Sequence, residues 1–183
     1  NTLQQEFVDD SKISRKTPTI RDHMNSGISD DHPHTMSPNA LLFRSVDTDS
    51  LSTAIQALES GANANAKDHS GIAPLHIAIQ NGNAEMVELL LSNGANPNLQ
   101  ASKDSLLGNK PLTQAIFSNN PEIIESLLKA GAYTGPQGDE NPAMIIAATL
   151  GHPESLRALI AFGVPMTERD SRGRTPAHWV CLC

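Results

Sequence analysis

Aromatic side chains are scarce in this chain, at 3% of its 183 residues. A bulky centre built around rings is thereby excluded, and any core must come from Leu, Ile, Val and Ala. Apolar residues still reach 38%, which suits thin, repetitive helix layers. Cysteine is nearly absent: Cys181 and Cys183 are the whole complement. Two cysteines one residue apart form no disulfide framework and would make a strained mutual bridge, so reducing, cytoplasmic surroundings are expected. They read as two small apolar side chains at a helix start. No apolar run reaches the roughly 18 residues of a membrane helix, and no basic start followed by an apolar stretch marks a signal peptide. Basic residues number 13 against 20 acidic ones, a formal net charge of −7. Nucleic-acid affinity rests mainly on Lys and Arg neutralising phosphates, so neither nucleic acid nor a membrane surface is an expected partner.

What is present divides at about residue 38. Residues 1–38 are rich in Asp, Ser, Lys and Pro, with few apolar residues among them and one short apolar patch at Leu3, Phe7 and Val8. They read as a polar lead-in, linker or N-terminal cap. The first residue is Asn1 rather than Met, as in a fragment or processed chain. Residues 39–183 repeat. A glycine follows an apolar helix end at Gly61, Gly94, Gly131 and Gly163, at separations of 33, 37 and 32 residues. A helix-opening slot recurs at Leu41, Pro74, Pro111, Ala143 and Pro176.

Each unit reads as two short helices. In the second, Pro74 fits a first helical turn, where its missing N–H is not needed. Leu75, Ala78 and Ile79 then share a face at helical spacing. Asn81-Gly82-Asn83 is a turn signal. Met86, Val87, Leu90 and Leu91 line a second helix, which Gly94 ends in a left-handed conformation. The third unit places Leu112, Ala115, Ile116, Ile124, Leu127 and Leu128 in the same slots. The fourth has Met144, Ala147, Ala148, Leu156, Leu159 and Ile160; the first has Leu42, Val46, Ala54, Ala57 and Leu58. One such pair cannot bury its apolar face alone, whereas stacked pairs bury it continuously.

Ala73-Pro74-Leu75-His76-Ile77-Ala78 and the link Gly61-Ala62-Asn63-Ala64-Asn65-Ala66-Lys67-Asp68-His69-Ser70-Gly71 resemble the opening and the link of the ankyrin-repeat family. Gly173-Arg174-Thr175-Pro176-Ala177-His178 resembles the start of a further unit. The resemblance covers about residues 39–183, as four repeats and a truncated fifth. It implies an all-α solenoid of stacked helix–turn–helix units with projecting β-turn fingers, and a concave surface that binds proteins. The second-to-third link is longer and carries Leu106 and Leu107, an enlarged finger. The link at Tyr133 to Gly138 lacks the usual Asn and Asp, which predicts an irregular finger.

Catalytic motifs are not evident. The glycines punctuate repeats and form no phosphate cradle, and no nucleophile elbow or His-Glu-x-x-His occurs. His76 and His178 occupy the opening slot, where the resemblance implies hydrogen bonds within the turn. His32 and His34 form the one close His pair, without the three or four ligands a metal needs. Glu85, Glu122 and Glu154 recur at second-helix starts, where an acid favours the helix dipole. No catalytic residue, cofactor or metal is expected.

The resemblance places two variable positions of each first helix on the concave side: Gln80 and Asn81, Phe117 and Ser118, Thr149 and Leu150, after Asp47 and Thr48. Finger tips add His69, Ser70, Ile72, Asn109, Asn141, Ser171, Arg172 and Arg174. Phe117, Leu150, Leu106 and Leu107 are apolar enough to mark a binding patch if they cluster in the open; the competing expectation is that Phe117 and Leu150 pack within the stack. The expected function is a monomeric, non-enzymatic module that binds a folded protein. The alternative is the substrate-recruiting arm of a larger enzyme. Ankyrin arrays of bacterial effectors offer the analogy: arginine ADP-riboxanases join a transferase domain to repeats that hold host caspases. On that analogy the partner is a host protein such as a caspase, met in the host cytosol.

Overall fold

The computed structural model describes residues 36–101, 110–135, 142–170 and 172–180, and all its regular elements are helices. Four pairs run in chain order: α1 (Pro38–Asp47) with α2 (Leu51–Glu59), α3 (Pro74–Asn81) with α4 (Ala84–Ser92), α5 (Pro111–Phe117) with α6 (Pro121–Lys129), and α7 (Ala143–Leu150) with α8 (Pro153–Ala161). A short α9 (Pro176–Val180) follows. The all-α expectation holds for these residues. The lead-in before residue 36, the enlarged finger with Leu106, Leu107 and Asn109, the tip with Asn141, Ser171, and both cysteines lie outside the described residues.

The helices begin where sequence chemistry places them. Pro occupies the first helical turn of α1, α3, α5, α6 and α8. Asn83 and Asn120 cap α4 and α6, their side-chain oxygens accepting from Met86 N–H at 2.9 Å and Ile123 N–H at 3.3 Å. Such caps contribute about 1 kcal/mol each. Glu85, Glu122 and Glu154 sit in first turns, where the dipole favours them.

The turn inside each pair needs one left-handed residue. Asp49 (φ 51°), Gly82 (71°), Asn119 (47°) and Gly151 (68°) supply it. Asp and Asn are the side-chain-bearing residues that best tolerate this region, and here their side chains are used. Asp49 Oδ1 accepts from Asn83 Nδ2 at 3.3 Å, and Asn119 Oδ1 accepts from Ser155 Oγ at 2.8 Å.

First helices stack in the order α1, α3, α5, α7 and α9, and second helices in the order α2, α4, α6 and α8. Between the two rows lies one apolar core. Leu42, Leu75, Ile79, Leu90, Ile116, Ile124, Leu127, Met144 and Leu159 are all sealed within it. Burying each such side chain contributes about 1.5–3 kcal/mol. Ile160 departs from expectation: it is 48% exposed. Its counterparts Leu58, Leu91 and Leu128 are partly buried against the core, and their helices α2, α4 and α6 each pack against the second helix of the next repeat. Among the described residues α8 has no such neighbour.

Polar clamps tie successive repeats along two edges. On the finger edge, Asn39 Oδ1 accepts from Asn63 N–H at 2.8 Å. Asn65 donates to the Gly94 carbonyl at 2.8 Å and accepts from Asn96 N–H at 2.7 Å. Asn98 donates to the Gly131 carbonyl at 3.1 Å and accepts from Tyr133 N–H at 2.7 Å. On the turn edge, Asn81 Nδ2 donates to the Val46 carbonyl at 3.0 Å, and His152 Nδ1 bonds the Ile116 carbonyl at 2.8 Å. A carbonyl only accepts, so Nδ1 of His152 carries the proton in this bond.

Candidate interaction surface

The surface is made from two kinds of element, the exposed ends of the first helices and the fingers. Among the described residues, two fingers are each shaped by one aspartate. In the first, Asp68 Oδ1 accepts from Ser70 N–H and Ile72 N–H, both at 2.8 Å, while Asp68 N–H donates to the Ile72 carbonyl at 2.9 Å. This Asx arrangement is local chemistry that Asp performs well. It leaves His69 and Ser70 exposed at the tip and Ile72 half-buried.

The fourth finger repeats the design at Asp170. Its Oδ1 accepts from Arg172 N–H at 2.9 Å and Arg174 N–H at 2.8 Å, and Oδ2 pairs with Arg174 Nε at 2.7 Å. The Asp170 side chain is only 3% exposed. Burial pushes its carboxyl up, but the Arg174 backbone and guanidinium bonds and the Arg172 N–H outweigh this and hold it below the ordinary carboxylate range. Arg174 is therefore occupied in shaping the finger, whereas the Arg172 side chain is exposed.

On the first helices, Phe117 is 44% exposed and Leu150 37%. They are the last residues of α5 and α7, two helices that pack side by side. The expectation that they pack inside the stack is not met. Gln80 and Asn81 hold the corresponding place on α3 and are exposed. Asn81 is partly committed to the stack through Val46. Ser118 and Thr149 turn their hydroxyls back on their own helices, to the Gln114 carbonyl at 3.2 Å and the Ile145 carbonyl at 2.8 Å. Asp47, at the same place on α1, has its carboxyl raised, first by the protein around it and then by the negative charge of Asp68.

Other exposed apolar residues lie outside that set. Tyr133 is 49% exposed, in the slot that holds Asn63 and Asn96 in earlier repeats; an aromatic residue in an Asn slot was the available signal. Phe162 and Met166, 40% and 49% exposed, add apolar area after α8.

The histidines divide. His178 Nδ1 accepts from Thr175 N–H at 3.1 Å and meets Thr175 Oγ1 at 2.8 Å, the turn bond that its slot implied. His76 is buried, and its carbonyl accepts from Gln114 Nε2 at 3.1 Å. Among the described residues no group of three or more His, Cys, Asp or Glu side chains is placed to hold a metal, and no helix is long and apolar enough to cross a membrane.

Comparison with known proteins agrees with this architecture. A family model described as ankyrin repeats in three copies matches residues 42–138 and 112–183. Rabankyrin-5 of Mus musculus is 39% identical over 77 residues, which is 42% of this chain and 7% of that protein. The 2-5A-dependent ribonuclease of Homo sapiens is 33% identical over 92 residues, 50% of this chain and 11% of that protein. An ankyrin repeat and LEM domain-containing protein 1 homolog of Caenorhabditis elegans is 46% identical over 56 residues, covering 31% of this chain and 8% of that protein. This chain thus spans only a small part of each relative's length. With the family match running through the four helix pairs and their Asn-clamped links, the chain belongs to the ankyrin-repeat family.

Proposed function

We propose that the chain is a protein-recognition module that grips a folded partner with the exposed ends of its first helices and its finger tips. The observation that carries this reading is the pair Phe117 and Leu150. Large apolar side chains that stay 44% and 37% exposed on helices packed side by side are the kind of feature that marks a binding site when it clusters. Aromatic and Arg anchors carry most interface energy, which gives Phe117 and Arg172 the leading roles, with His69, Ser70, Gln80 and Thr149 as polar surroundings. The module acts as a monomer and performs no chemistry of its own.

The test is affinity capture from a cell lysate with quantitative mass spectrometry, comparing the chain with a Phe117→Glu/Leu150→Glu variant. The reading expects at least one partner to drop tenfold or more from the variant, while circular dichroism shows unchanged helicity. A partner set indifferent to both substitutions would move the surface elsewhere.

A second reading makes this array the recruiting arm of a larger enzyme. It is supported by the similarity to 2-5A-dependent ribonuclease, a protein named for an activity and matched over 11% of its length. The narrower idea of a bacterial effector holding a host caspase draws no support from these relatives, which come from mouse, human and nematode.

A further inference from the structure

Resting on the recognition surface proposed above, we infer that it takes an extended segment of the partner, with a Lys or Arg towards one end and large apolar side chains towards the other. The cation lies against the end of α1, and the apolar part lies against Phe117 and Leu150.

The first helices end on chemically different residues. α1, α3, α5 and α7 pack side by side in that order, and their last residues are Asp47, Asn81, Phe117 and Leu150, all exposed. Hydrogen bonds hold neighbouring helices in register. Asn81 Nδ2 donates to the carbonyl of Val46, the residue before Asp47, at 3.0 Å. Gln114 of α5 donates to the His76 carbonyl of α3 at 3.1 Å. His152, two residues after Leu150, bonds through Nδ1 to the carbonyl of Ile116, the residue before Phe117, at 2.8 Å. Along the row the ends change from a carboxylate, through an amide, to two large apolar groups.

The acidic end is costly to the chain itself. Asp47 closes a helix, where the terminal carbonyls already carry negative partial charge and an acid is disfavoured. Desolvation by the surrounding protein, and then the charge of Asp68, raises its carboxyl. Asp49 follows two residues on, exposed and in the left-handed turn. Two nearby cations in sequence are directed elsewhere: Arg44 Nη1 donates to Met36 Sδ at 3.7 Å, and Lys67 Nζ to the Gln100 carbonyl at 2.8 Å. Local preferences are broken mainly at functional or strained sites. A cation brought by a partner relieves these repulsions together. Complementary charge of this kind fixes register and orientation more than affinity, which falls to the apolar anchors.

The row also sets a length. Packed helices lie about 8–10 Å apart, which puts Asp47 about 16–20 Å from Phe117 and about 24–30 Å from Leu150. An extended chain advances about 3.3 Å per residue, so the cation and its apolar companions stand about five to nine residues apart in the segment.

Random peptides about 16 residues long, displayed on phage and selected against the full chain, supply the probes. The enriched peptides should carry Lys or Arg about five to nine residues from a large apolar side chain, in one order. In titrations of the tightest peptide, Phe117→Glu/Leu150→Glu should abolish binding. Asp47→Asn should weaken it about two- to fivefold, the range of an exposed ion pair, although that substitution removes a repulsion from the fold. Replacing the peptide's basic residue by Gln should cost the parent chain the same factor and the Asp47→Asn variant nothing, a coupling that a merely structural role for Asp47 would not produce. Peptides that need Phe117 and Leu150 but carry no basic residue, or one uncoupled from Asp47, overturn this inference and leave the recognition surface standing. Peptides indifferent to the Phe117→Glu/Leu150→Glu change overturn both. A library that yields no binder overturns the extended segment.

Discussion

Ser155, buried on α8, gives its hydroxyl proton to Asn119, the left-handed residue that turns α5 into α6 in the preceding repeat, at 2.8 Å. One Asn thus satisfies two demands, a positive φ and a partner for a buried hydroxyl. The two are separable by substitution. Asn119→Gly keeps the backbone geometry at little cost but strands Ser155, an expected loss of about 1–3 kcal/mol. Asn119→Ala strands Ser155 and also forces a Cβ into the left-handed region, adding about 1 kcal/mol. Urea unfolding of the two variants should rank Ala below Gly. Equal midpoints would show that the turn geometry carries no cost.

The Asp170 finger responds to acid with a definite sign. Its folded carboxyl sits below the ordinary value, so the folded state holds the proton less tightly than the unfolded chain. The stability it contributes is complete above the unfolded carboxylate value of about 3.9. It is lost as pH falls through the lower folded value. Asp170→Asn keeps some acceptor capacity but loses the ion pair with Arg174. Its thermal midpoint should lie below the parent's at pH 6–7, and the gap should close as pH falls below about 3.9. A gap constant down to the lowest pH at which both fold would remove the carboxylate from the account.

Most of the architecture was legible because the repeat enforces it. Pro74 and Pro111 at helix starts, the helix-ending glycines, and the Leu and Ile faces are each local statements made several times in register. Exposure was harder to read. Ile160 shares a slot with Leu58, Leu91 and Leu128, and periodicity cannot tell whether a next helix arrives to cover it. Phe117 and Leu150 were balanced between core and surface, because a large apolar residue at a helix end serves either. Asn81 was read as a contact residue although its amide reaches Val46 in the repeat before. That bond depends on how repeats are offset, which sequence spacing leaves open. The Asn39, Asn65 and Asn98 clamps escaped for the same reason.

The position of Ile160 gives a stability contrast. Truncating a sealed core side chain such as Leu127 removes burial and leaves a cavity, and Leu127→Ala should lose about 2–5 kcal/mol. Ile160 is 48% exposed, so Ile160→Ala empties no enclosed space and should lose less than about 1 kcal/mol. Chemical denaturation of both variants checks the contrast. A loss at Ile160 comparable to that at Leu127 would mean that the face is covered in solution.

Asp47 carries the opposite sign from Asp170. The surrounding protein and the negative charge of Asp68 raise its carboxyl, so the folded state binds the proton more tightly than the unfolded chain does. Its charged form opposes folding above the folded value, and protonation relieves that opposition as pH falls. Asp47→Asn should therefore be slightly more stable than the parent at neutral pH, by well under about 1 kcal/mol because the group is exposed to solvent. The advantage should shrink as acid protonates Asp47 in the parent, and also in high salt, which screens Asp68. The second condition separates the two causes: an advantage unaffected by salt assigns it to desolvation, whereas one that salt abolishes assigns it to Asp68. The same measurement has a bearing on recognition, since a carboxylate held against another negative charge at the end of α1 gains from any cationic group that a partner brings to it.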